Sequence, residues 1–268
     1  MKPRGWEPTS TFEEKLKDVL VPPRLYAWFR ARRERARGER EIHLLPALVD
    51  PARNAVDAGA NKGVYSTWMG RTARHVYAYE PNPKLHRQLV RAMGRKVTVS
   101  PAALSDQNGE AALRIPRGAK GYSNQRASLS EDAVASSFDA VAVETRRLDD
   151  EGLSDIGFIK IDVEGFEYEM LKGAAKTIAR DRPTLLVEIE EIHTKLPITE
   201  ALGRIEREFN MRAYFYLHGR LRQIAALDPA RHHGPKCPRE GYVFNFLFFP
   251  AERLEEEFPP GLRVLLEG

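Results

Sequence analysis

Two short stretches carry residues whose types and spacing could do chemistry: VDAGANKG, Val56 to Gly63, and IDVEG, Ile161 to Gly165. In each, an acid follows an apolar run and a glycine comes soon after, as where a strand ends in a tight ligand-binding turn. A dinucleotide turn reads G-x-G-x-x-G and brings its backbone N–H groups onto a pyrophosphate. Asp57 stands where the first of those glycines would be, so a carboxylate would face two phosphates. A ligand that approaches Gly59 and Gly63 closely and welcomes Asp57 should instead be cationic and free of phosphate. S-adenosylmethionine meets both conditions through its ammonium and its sulfonium. Glu80 stands roughly twenty residues further on, the place from which a carboxylate accepts ribose hydroxyls.

These residues need strands to carry them. Ala55 to Ala58, His75 to Glu80, Lys96 to Leu104, Gly157 to Glu164 and Thr184 to Glu190 read as strands, with helix-length segments at Lys62 to Arg71, Pro83 to Gly94 and Phe166 to Arg180 between them. That alternation predicts a parallel α/β sheet, whose ligands bind outside the carboxyl ends of the strands. Both acidic turns then open onto one crevice. GEAALRIP reads as a further strand or hairpin, and the polar span 117–147 as a long loop that shapes a substrate site. Beyond a helix at Thr199 to Phe209, MRAYFYLHGRLRQI and YVFNFLFFP read as antiparallel C-terminal strands. Residues 1–50 form a helical N-terminal extension and 51–268 the main domain.

The composition is that of a globular protein, with 268 residues, 42% hydrophobic and 30% charged. The stretch MKPRGWEPTSTFEEK lacks a signal-peptide apolar region, no run is long enough to span a bilayer, and a lone Cys237 excludes an internal disulfide framework. A cytoplasmic location is the expectation. A net charge of +4 arises from 42 Lys and Arg against 38 Asp and Glu, and much of the excess lies in a basic helix from Arg24 to Arg40. Such a helix reads first as a solvated face packed through its aromatic end, and second as a phosphate- or membrane-binding one.

The successive stretches DAGANKGVYS, YAYEPNP, AALSD, FIKIDVEGFEYEMLKGA and RPTLLVEIE, running from about residue 55 to 193, resemble the motifs of the FkbM family of methyltransferases. The resemblance implies a class I methyltransferase fold: a Rossmann-like, mostly parallel sheet with helices on both faces. It also implies methyl transfer from S-adenosylmethionine to a hydroxyl of a sugar, polyketide or other small metabolite. Carried onto this sequence, it assigns Asp57, Gly59, Asn61 and Gly63 to the methionine portion and Glu80, Pro81 and Asn82 to the ribose. Ala103 and Leu104 would flank the adenine, with Ser105 and Asp106 near its amino edge. Asp162 would stand beside the methionine and the transferred methyl.

The acceptor hydroxyl must lose a proton, which calls for a base or a metal. Asp162, Glu164 and His193 are the catalytic candidates, with Glu188 and Glu190 on the neighbouring strand. The favoured route is metal-free; a Mg²⁺ shared by two carboxylates and a sugar diol is the alternative. His232, His233 and Cys237 make a poor zinc set. Asp57 argues against an NAD-dependent oxidoreductase. The basic helix keeps a nucleic-acid methyltransferase as a rival, although IDVEG occupies the position where base-amine enzymes carry an Asn/Asp-Pro-Pro-aromatic turn. The remaining rival is a non-catalytic module that keeps the cofactor fold, and the presence of both Asp57 and Glu80 disfavours it.

Overall fold

The computed structural model describes residues 1–9, 20–118, 121–122, 127–130, 137–191, 196–234, 237–238, 240–256 and 260–266. Its strands are β1 (Asn54–Ala58), β2 (Val76–Tyr79), β3 (Val97–Ser100), β4 (Ala103–Leu104), β5 (Gly109–Gly118), β6 (Gly121–Tyr122), β7 (Phe138–Arg146), β8 (Ile156–Ile161), β9 (Thr184–Glu188), β10 (Met211–Leu217), β11 (Arg220–Gln223) and β12 (Asn245–Pro250). The main sheet has the order β11-β10-β12-β9-β8-β1-β2-β3. Neighbours from β9 to β3 are parallel, and β12, β10 and β11 complete the sheet antiparallel.

The central strands are apolar on both faces because helices cover both. Ile159, Ile161, Leu185, Val187, Phe246 and Phe248 pack into one core, while Phe158, Leu186, Leu247 and Phe249 pack into the other. That division follows from the two-residue period of a strand. The helix Ile198–Phe209 turns Ile198, Leu202, Ile205 and Phe209 onto the first core at helical spacing. From β1 the chain proceeds outward to β2 and β3, then crosses to β8 and β9 on the other side. The strand order therefore reverses between β1 and β8, where such sheets open a crevice.

Two sequence expectations change. The run Lys96 to Leu104 is not one strand. Pro101 has no N–H to donate to a ladder, so pairing stops after Ser100, and β4 joins a second sheet of order β4-β7-β5-β6. The span 117–147 is not a single loop either: β7 occupies its last third and pairs antiparallel with β5 from Gly109↔Thr145 to Pro116↔Phe138. GEAALRIP is thus a strand, and its partner lies across the polar insertion.

The N-terminal extension packs onto the domain. The helix Pro23–Arg37 begins with proline at its first turn, where an N–H has no intrahelical use. Its Ala31 is fully buried, and the Ala31 carbonyl accepts the indole N–H of Trp68 at 3.0 Å. The guanidinium of Arg35 lies 4.5 Å from the Trp68 ring centre, so part of the basic face is spent on packing. Among the described residues, no helix is long and apolar enough to cross a membrane.

Gly173, at the end of the helix Glu167–Gly173, lies so close to β4 that a Cβ there would collide with the Ser105 backbone carbonyl. Gly173→Ala is expected to cost about 1–3 kcal/mol through overpacking, read as a lower urea midpoint. An unchanged midpoint would contradict this tight helix–strand approach.

Candidate functional site

β1 delivers Asp57 to its carboxyl end, where the side chain is 1% exposed and accepts the hydroxyl proton of Ser66. Burial pushes the Asp57 carboxyl up to about 6, against the Ser66 hydrogen bond and the nearby Lys160, which pull it down. The chain then turns through Gly59 and Asn61, both at positive φ (79° and 51°). At Gly59 a Cβ would collide with the Asp162 carbonyl oxygen, so the ends of β1 and β8 meet only because that residue is glycine. Gly63, again at positive φ, opens the helix Val64–Thr72 against Leu89 and Met93.

Glu80 leaves the end of β2 and is 5% exposed. Its two oxygens accept the backbone N–H groups of Asn61 at 2.6 Å and Asn82 at 2.8 Å. Burial pushes its carboxyl up to about 7, although those two N–H groups favour the charged form. A crevice of about 530 Å³ is lined by Gly59, Asn61, Glu80, Pro81, Ala103, Leu104, Asp162 and Glu164. All eight are residues expected from the sequence. Tyr79, Val163, Leu113 of β5, and Ala127 and Leu129 from the insertion also line it; the last three were not anticipated, because β5 and the Arg114–Ser128 bridge bring them over the strand ends. The Asn82 side chain caps the helix Pro83–Ala92, accepting from the N–H groups of Lys84 and Leu85, while its backbone N–H donates to Glu80. Asp106 pairs with Lys172 at 2.8 Å, which holds its carboxyl below the usual range.

A second cavity, of about 610 Å³, lies beside the first and shares Gly59, Asn61 and Asp162 with it. Its wall includes Asp57, Tyr65 and Lys160, with Arg30, Glu34 and Glu39 from the N-terminal region. Lys160 is 1% exposed. Its ammonium lies 3.9 Å from Asp162 and 3.8 Å from Glu188, 3.4 Å from Asn245 Oδ1, and 5.0 Å from the Tyr65 ring centre. Burial works against its charge, but Asp162, Glu188, Glu39 and Asp57 together outweigh burial and hold its pKa above the ordinary lysine value. Glu39 is tied in by the Tyr65 hydroxyl at 2.6 Å and the Asn245 amide at 2.8 Å. Burial, and then the charge of Asp162, push the Glu188 carboxyl well up.

Asp162 and Glu188, the pair open to a shared Mg²⁺, thus flank a lysine ammonium. Among the described residues no group of three or more His, Cys, Asp or Glu side chains is placed to hold a metal ion. His193 lies outside the described residues. His233 is buried and structural, stacked on Tyr242 and bonded to the Val243 carbonyl and the Glu191 N–H, while Cys237 Sγ donates to the Arg231 carbonyl.

The residues present fit an adenosyl cofactor that bears a sulfonium and an amino-acid end. Gly59 leaves room that a side chain would fill, and the crevice is apolar at Ala103 and Leu104. Asn61 Oδ1 and Arg30 Nε are buried with no hydrogen-bond partner in the protein.

Residues 57–234 match the family described as Methyltransferase FkbM domain. The chain also resembles an FkbM methyltransferase of Methylobacillus flagellatus KT, at 17% identity and a TM-score of 0.46, over 75% of this chain and 44% of that one. It therefore spans less than half the length of that protein. Similar too are an rRNA methylase of Streptococcus thermophilus (11% identity, TM-score 0.45, 79% of this chain and 94% of the other) and a precorrin-6y C5,15-methyltransferase of Geobacter metallireducens GS-15 (13%, TM-score 0.43, 77% and 86%). Comparison with curated proteins finds no match.

Asp57, Glu80 and Glu167, with carboxyls at about 6, 7 and 7, bind protons more tightly folded than unfolded, where carboxyls titrate near ~4. Their contribution to stability is present at low pH and lost as pH rises through those folded values. Urea unfolding of the ligand-free protein should show stability falling between about pH 5 and 7, by up to about 1.4 kcal/mol per pH unit for each group. Glu80→Gln should flatten that slope; a slope unchanged in the variant would contradict a protonated Glu80.

Proposed function

From the premise that the chain belongs to the FkbM methyltransferase family, as its match over residues 57–234 shows, we propose that it methylates a hydroxyl of a small molecule, a sugar, glycan or secondary metabolite. The methyl comes from S-adenosylmethionine. One observation carries the cofactor assignment: Asp57, Glu80 and Asp162, three carboxyls from three strand ends, converge with Gly59 on adjoining cavities. The crevice would take the adenosine, with Ala103 and Leu104 against the base and Glu80 at the ribose. The cofactor, when bound, supplies an electrophilic methyl on a sulfonium.

The protein's own part is alignment and proton removal. Most of the barrier reduction in an in-line displacement comes from holding the acceptor oxygen on the line of the methyl. Asp162 is the residue proposed to orient both partners, because it borders both cavities. For the proton we favour a carboxylate at the ends of β8 and β9, Glu164 or the Asp162–Glu188 pair, with His193 as the further candidate. Lys160 supports a metal-free route, since its ammonium already supplies the positive charge between Asp162 and Glu188.

The test is calorimetry followed by product analysis. S-adenosylmethionine and S-adenosylhomocysteine should bind in the micromolar range and NAD should not, and Glu80→Ala should cost about 2–4 kcal/mol of that affinity. Incubation of labelled cofactor with hydroxylated metabolites should give an ether product. Label recovered only in RNA would sink the small-molecule assignment, and NAD binding in place of the sulfonium would sink the cofactor.

A further inference from the structure

A third cavity, of about 810 Å³, lies between the helix Pro23–Arg37 and the helix Pro83–Ala92. Its size is that of a site for a small molecule. It shares Arg30 and Lys62 with the cavity beside Asp57 but includes none of the strand-end carboxylates. Arg30, Lys62 and Arg91 give its wall three cations, and no acid lines it. Much of the remaining wall is apolar, with Val21, Pro23, Ala27 and Leu89 contributing. A bare anion would leave that apolar wall against water, and a neutral apolar molecule would leave the cations unanswered. The complement of such a lining is an anionic group on an apolar stem.

Arg30 adds an observation of its own. Its Nε is a buried donor with no acceptor among the described residues, and buried donors in native proteins are nearly always answered. Its Nη2 donates to the Tyr26 hydroxyl at 3.1 Å, and the guanidinium lies 5.5 Å from the Tyr26 ring centre. These contacts, one turn apart on a single helix, hold the planar fork in place without neutralising it. Phosphate and carboxylate are the groups that such a fork receives best. The wall from Val21 to Arg30 also precedes residues 57–234, so this side of the cavity is built by chain outside the family match.

We propose that this cavity is a separate binding site for an anionic amphiphile, a phosphate or carboxylate carried on an apolar stem. Arg30, Lys62 and Arg91 receive the anion, and the two helices enclose the stem. The phosphate-binding reading of the basic helix thereby acquires a place in the fold, beside the cofactor crevice and not in it. The site does not depend on the cofactor reading.

The probe is octyl phosphate below its micelle concentration, with inorganic phosphate and octyl glucoside presenting the anion and the stem alone. By calorimetry octyl phosphate should bind one to one, at least about tenfold tighter than either comparator. Arg30→Met should weaken it about tenfold. Arg91→Met, at an exposed position, should weaken it about threefold and carries the test if the first variant fails to fold. S-adenosylhomocysteine should shift that affinity by less than about twofold, because its crevice is separate. Phosphatidylglycerol vesicles that capture the protein and release it to octyl phosphate would identify the source of the anion as a lipid headgroup. Protein that ignores such vesicles yet binds octyl phosphate would identify a free amphiphile, and either result supports the site. No binding by the wild-type protein, equal binding of inorganic phosphate, an affinity unchanged in both variants, or displacement by S-adenosylhomocysteine would overturn it.

Discussion

A single buried ammonium holds the ends of three strands together. Lys160 sits in β8 with Asp57, Asp162, Glu188 and Glu39 around it, four carboxylates drawn from β1, the end of β8, β9 and the N-terminal segment. Like charges crowded into a space that excludes water repel strongly, and removing a buried partner is far more costly than removing an exposed one. Yet one cation cannot neutralise four anions. The deficit is visible in Glu188, pushed well up by burial and by Asp162. The strand ends therefore carry more negative than positive charge, and Lys160 offsets only part of it.

The same interaction explains why the N-terminal region cannot be a loose arm. Glu39 reaches the cluster through the Tyr65 hydroxyl and the Asn245 amide, and Ala31 is buried against Trp68. A helix that reads from its sequence as a basic solvated face is fixed over the turn that follows β1, with Arg30 in the wall of the cavity beside Asp57.

What was legible in the sequence was what local chemistry determines. Asp57, Gly59, Glu80 and Asp162 stand at strand ends, and an acid-then-glycine turn after an apolar run can be recognised without knowing what it packs against. Asn82 has a second role that was also legible locally: an asparagine before proline at the start of a helix is an N-cap, and its side chain serves that role. Lys160 was visible as a lysine inside an apolar strand, but its significance needs Glu39 and Asn245, which come from opposite ends of the chain. Likewise β7 could not be read without β5, from which a polar insertion separates it, and Ala127 and Leu129 reach the crevice beside Leu113 through the Arg114–Ser128 bridge to β5. Pairing across long sequence separations is the information that periodicity does not contain.

The most direct test of this account is the stability of Lys160→Met as a function of pH. With the ammonium removed, the carboxylates face one another uncompensated when ionised and are relieved when protonated. The variant should be less stable than the wild-type protein by about 3–5 kcal/mol near pH 7.5, with much of that loss recovered near pH 5.5. A loss of equal size at both pH values would show that Lys160 merely fills space, and would contradict a strand-end cluster held together by its charge.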